Sequence, residues 1–99
     1  MHESKSHNTT ANRIARKYRT AYNQEAGADI VTSKVAVEVE PPETVSEALA
    51  QLRGYRKPVY IAGTNQEAVD KALEITKGTS VGVMNNQGNI VKRSSRKTG

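Results

Sequence analysis

The sequence has no cysteine, no phenylalanine and no tryptophan, and four tyrosines are its only aromatic residues. Without cysteine there is no disulfide framework, no thiolate metal site and no thiol nucleophile. Without Phe and Trp, a core must be assembled from Val, Ile, Leu and Ala, and it will be thin. No apolar run approaches the roughly 20 residues that a membrane-spanning helix needs. Met1 to Thr10 is polar and lacks the apolar stretch of a secretory leader. A cytoplasmic protein with no membrane partner is the expectation.

What is present is 99 residues, enough for one small domain, with 25% charged residues and a net charge of +5. The charge is segregated. Residues 1–22 carry five Lys or Arg against one acid, residues 23–91 carry six against nine, and residues 92–99 carry four against none. An acidic middle lies between two basic ends. Basic ends attract polyanions, because each Lys or Arg set on a phosphate releases counterions; the bland alternative is that they serve solubility.

Residues 1–8 show no apolar periodicity and read as a disordered tail, residues 9–92 as a single α/β domain, and residues 93–99 as a basic disordered tail. A helix is expected from Thr9 or Thr10 to about Gln24, ended by Gly27. Ala11, Ile14, Ala15, Tyr18, Ala21 and Tyr22 form its apolar stripe, with Arg13, Arg16, Lys17 and Thr20 opposite. Two β-branched segments follow, 28–34 and 35–40, joined by a turn near Thr32 to Lys34. Thr44 with Glu47 reads as a capping box opening a second helix, with Val45, Ala48, Leu49 and Leu52 buried. Residues 58–62 form a continuous apolar run suited to a buried parallel strand. Thr64 with Glu67 reads as a second capping box for a helix over 66–77. Residues 80–84 and 89–92 form a hairpin around Asn86-Gln87-Gly88. The order α-β-β-α-β-α-β-β implies a small mixed sheet flanked by helices.

Asp29 stands at the start of the first of these strands, and Glu38 and Glu40 alternate onto one face of the second. Pairing through the turn brings Asp29 opposite the end of the second strand, so three carboxylates meet at one strand end. Carboxylates that close repel one another, and a divalent cation such as Mg²⁺, which prefers oxygen ligands, relieves the repulsion. The alternatives are that Glu38 and Glu40 form the solvated face of a half-exposed strand and that Asp29 caps a turn. Downstream, Gln51 and Tyr55 are one helical turn apart.

Gly27-Ala28-Asp29-Ile30, Val37-Glu38-Val39-Glu40 and Gln51 through Tyr55, in that order after a leading helix, resemble the PD-(D/E)xK nuclease superfamily, in particular its RecB-like branch. The likeness spans roughly residues 10–62. It implies a restriction-endonuclease-like fold and metal-dependent cleavage of nucleic-acid phosphodiesters, by an active enzyme or a degenerate relative. Asp29 and Glu38 would hold Mg²⁺, Glu40 would complete the catalytic group, and Gln51 and Tyr55 would orient the site or contact the nucleic-acid backbone. Glu40 stands where the family has lysine, and two strands, not three, precede the Gln-x-x-x-Tyr helix.

The basic helix face of Arg13, Arg16 and Lys17, with Lys92, Arg93, Arg96 and Lys97 near the C-terminal end, is the candidate contact surface for nucleic acid, DNA in the first instance. A non-catalytic nucleic-acid-binding or adaptor module using these groups is the second functional reading. A protein-interaction domain with incidental basic ends is the third. A small, one-sided core would suit a homodimer. The Gly63-Thr64-Asn65 turn could bind an anion or simply cap a helix, and His2 and His7, in the tail, are set aside as site residues.

Overall fold

The computed structural model describes residues 5–22 and 27–98. Its elements are α1 (Lys5–Lys17), β1 (Ile30–Val31), β2 (Ala36–Glu40), a 3-10 helix (Pro42–Glu47) running into α2 (Ala48–Gln51), β3 (Val59–Gly63), α3 (Gln66–Ile75), β4 (Gly82–Met84) and β5 (Ile90–Lys92). The five strands form one mixed sheet in the order β1-β2-β3-β4-β5. β1 and β2 are antiparallel, β2, β3 and β4 run parallel, and β5 returns antiparallel to β4. The small α/β domain with a mixed sheet that the order of patterns implies is what forms.

The helices start and stop where local chemistry directs, and at several of their ends this differs from the sequence reading. α1 begins at Lys5, not at Thr9, and His7 is buried in it, so residues 5–8 are no tail. It ends at Lys17 because Arg19 adopts a left-handed backbone, φ 57°. Arg19 N then donates to Arg16 O and Thr20 N to Ala15 O, which satisfies the last carbonyls. The expected continuation to Gln24 falls partly on residues 23–26, outside the described set.

The second helix opens at Pro42, whose fixed φ suits a first helical position, two residues before the expected cap. Thr44 is therefore inside the helical turn and its hydroxyl is released for Glu40. α2 is a single turn ending at Gln51, and Gly54 has φ 96°, so Gln51 and Tyr55 do not share a helical face. α3 is capped by Asn65, whose Oδ1 accepts from Ala68 N at 2.9 Å, in place of Thr64. Residues 93–98 have no regular structure but are docked: Ser94 Oγ donates to Ser80 O, and the Arg96 guanidinium donates to Leu52 O and Tyr55 O.

Alternation along the strands gives the sheet two buried faces. Ile30, Val37, Val39, Tyr60, Ala62 and Met84 pack under Ala11, Ile14 and Ala15 of α1. Ala36, Val59, Ile61 and Val83 pack against Val45, Ala48 and Leu52 before, within and just after α2, and against Ala68, Val69 and Ala72 of α3. The core is thus two-sided, which removes the reason for expecting a homodimer to complete it. Every residue of β2 and β3 is buried. Among the described residues, no helix is long and apolar enough to cross a membrane.

The carboxyl end of β3 approaches α3 so closely that a Cβ on Gly63 would lie 2.6 Å from Val69 N and 2.8 Å from Val69 Cγ2. Gly63→Ala must push α3 off the sheet. It should cost about 1–3 kcal/mol of stability, read as a lower urea midpoint with the denaturant slope unchanged.

Candidate active site

The register Ile30↔Val37 carries Asp29 opposite Glu38, at the carboxyl end of β2. Val37 and Val39 are committed to the α1 face, so Glu38 and Glu40 share the other face with Ala36. Asp29, Glu38 and Glu40 are each no more than 8% exposed. The solvated-face reading of the glutamates does not hold, because an interior strand of a two-sided sheet has no wet side.

Backbone groups lock the cluster. Asp29 Oδ2 accepts from Val39 N at 2.8 Å, and Glu38 Oε1 accepts from Asp29 N at 3.1 Å. Ala28 N, one residue earlier, donates to the Tyr55 hydroxyl at 3.0 Å, which ties the post-α2 turn to the start of β1. Thr44 donates its hydroxyl to Glu40 Oε1. From the opposite helix, His7 Nε2 lies 3.3 Å from Asp29 Oδ2. A carboxylate only accepts, so Nε2 carries the proton; in the neutral imidazole Nδ1 is left to accept from the Tyr22 hydroxyl, 3.3 Å away. Among the described residues, no buried side-chain nitrogen or oxygen lacks a hydrogen-bond partner.

The cluster is held at an electrostatic cost. Burial, then the charge of Asp29, then that of Glu40 push the Glu38 carboxyl up to about 9, and burial raises Glu40 as well. Glu38 keeps a proton at neutral pH and uses it in a hydrogen bond with Glu40.

No family model matches this chain, and no curated protein or solved structure does. The site therefore rests on its own geometry. That geometry brings Asp29, Glu38, Glu40 and Tyr55 together as expected and leaves out Gln51, which is exposed at the end of α2. It adds His7, Tyr22 and Thr44. His7 was legible: it precedes Ala11 by four residues and Ile14 by seven, so one more turn of helix puts it on the buried stripe. Thr44 was hidden by its resemblance to a cap.

Most of the cationic set is tied to the protein's own carbonyls. Arg13 donates to Asn86 O at 2.8 Å, and Lys17 to Gly88 O at 2.8 Å, which fastens α1 to the β4–β5 turn. Lys92 donates to Thr76 O and Val81 O, and Arg96 is held as described above. Arg16, Arg93 and Lys97 are exposed.

Two outcomes follow. Lys17→Ala should lower stability by about 1 kcal/mol, because Gly88 is buried and its carbonyl loses a charged donor; thermal melts check it. Glu38 is raised from 4.5 to about 9 on folding. Stability is therefore fully present below the ordinary carboxylate range and falls as pH rises toward that value, by up to about 1.4 kcal/mol per pH unit. Urea midpoints at several pH values between about 5 and 8 should decline for the wild type. The decline should be shallower for Glu38→Gln, which keeps the shape without the charge and leaves Glu40, also raised by burial, as the remaining source.

Proposed function

We propose that the domain is a metal-dependent nuclease of the restriction-endonuclease-like kind, hydrolysing phosphodiesters of nucleic acid, with DNA as the first substrate to test. One observation carries this reading: Asp29, Glu38 and Glu40 are buried together at the carboxyl end of one strand, at a cost to stability that folding does not require. Buried titratable groups with displaced pKa values cluster at functional sites. The local order supports the kinship as well, with an acid before β1, Glu-x-Glu on its antiparallel partner, a helical segment, and then a parallel strand.

A divalent cation fits the donors in kind, since they are hard carboxylate oxygens. Among the described residues no group of three or more His, Cys, Asp or Glu converges on a metal position. A hydrated Mg²⁺, which commonly takes one or two carboxylates and keeps its waters, would sit on Asp29 and Glu38 and would displace the proton that Glu38 holds in its absence. When bound, it supplies charge neutralisation at the phosphorus and a water of lowered pKa.

The chain's own groups do the rest. His7 and Val39 N fix the Asp29 carboxylate from two sides, so its orientation is set before a ligand arrives. Glu40, held by Thr44 at the position of the family's lysine, is the acceptor available for a proton from the attacking water. Tyr55 keeps the β1 entrance in place through Ala28 N.

Incubation with single-stranded, duplex and branched DNA in Mg²⁺ or Mn²⁺ tests the proposal. Cleavage is expected from the wild type, with a loss of about a hundredfold or more in Glu38→Ala and Asp29→Asn, as befits removal of a metal ligand. Absence of cleavage together with absence of any Mg²⁺-induced NMR shift at Asp29 and Glu38 would overturn it. DNA binding without cleavage would favour the non-catalytic module.

A further inference from the structure

An open hollow of about 380 Å³ is walled by Asn12, Ala15 and Arg16 of α1 and by Thr20, Ala21 and Tyr22 after it. Its volume is at the lower end of the range of about 300–1,000 Å³ for small-ligand sites. Tyr22 is the group that joins the hollow to the cluster. Its ring packs on His7 with centroids 5.7 Å apart and planes at 54°, and its hydroxyl reaches His7 Nδ1. His7 in turn bonds Asp29. A ligand in the hollow therefore lies two side chains from the carboxylates, against an aromatic ring already held in position. Arg16, exposed on the same wall, brings a planar guanidinium suited to phosphate, and Asn12 brings an exposed amide.

We infer that this hollow seats one unpaired nucleotide of a nucleic-acid strand, its base stacked on Tyr22 and its phosphate on Arg16. The inference rests on the nuclease reading and narrows its substrate class to single strands and frayed or flapped ends. A base inside a duplex is stacked on both faces, so only an unpaired one can lie flat on a side chain. Stacking on an aromatic ring tolerates every base, so the site selects strandedness and not sequence. The neighbouring cations Arg13 and Lys17 are occupied with the β4–β5 turn, which leaves Arg16 as the α1 charge on the wall of the hollow.

The test measures binding without divalent cation, so that it is independent of cleavage. Fluorescence anisotropy of a short single-stranded oligodeoxynucleotide and of a blunt duplex is compared for the wild type, Tyr22→Phe, Tyr22→Leu and Arg16→Gln. Circular dichroism confirms that each variant is folded. Tyr22→Leu should lose about tenfold in affinity for the single strand and nothing for the duplex, while Tyr22→Phe, which keeps the ring, stays near wild type. Arg16→Gln, at an exposed position, should bind the single strand more weakly and reduce its salt slope by about 0.7. A 2-aminopurine base in the strand should be quenched by the wild type and not by Tyr22→Leu. Wild-type affinity in both Tyr22→Leu and Arg16→Gln, an equal loss on the duplex, or no single-strand binding by the wild type would each overturn the inference. Mg²⁺-dependent cleavage, assayed separately with duplex and single-stranded DNA, shows whether the nuclease reading stands when this one falls.

Discussion

Glu38 holds a proton that a glutamate in water gives up, because three carboxylates occupy the buried carboxyl end of β2. Much of the surrounding structure serves to make that tolerable. Backbone amides of Asp29 and Val39, the Thr44 hydroxyl and the His7 imidazole each donate into the cluster. Replacing a buried polar network by apolar side chains is often neutral or stabilising, so a fold of this size has no mechanical need for this one. Its existence is the reason to look for chemistry there.

The sheet order explains why the cluster forms where it does. In open α/β sheets ligands gather at the carboxyl ends of parallel strands, and Glu40, Gly63 and Met84 end the three parallel strands on that side. α1 crosses one face from His7, beside Asp29, to Lys17, beside the β4–β5 turn. The helix is a structural clamp first. Two of its cations stitch it to the turn, and its buried histidine stitches it to the acids.

Part of this was open to inspection of the residues alone. Asp29, Glu38 and Glu40 follow from strand alternation and a short turn, both local properties with a period of two. The helical stripe of α1 and the continuous apolar run at 58–62, which forms β3 one residue later, were legible because they too are local patterns. Capping was not: Thr44 and Thr64 both satisfy a capping pattern, yet Pro42 opens one helix early and Asn65 takes the other cap. Two candidate caps near one helix start compete, and their neighbours decide between them.

Composition and periodicity by themselves determined the class of domain, the two faces of α1 and the presence of three acids at one strand end, because these depend on residues close together in the chain. Tertiary structure alone decided that the glutamates are buried, that Arg13, Lys17, Lys92 and Arg96 serve the protein's own carbonyls, and that His7 and Tyr22 join the acids. Burial depends on what covers a strand face, and a cation's partner depends on which turn lies beneath it. Both are set by segments distant in the chain, 22 residues for His7 with Asp29 and 73 for Arg13 with Asn86, and no local pattern encodes them.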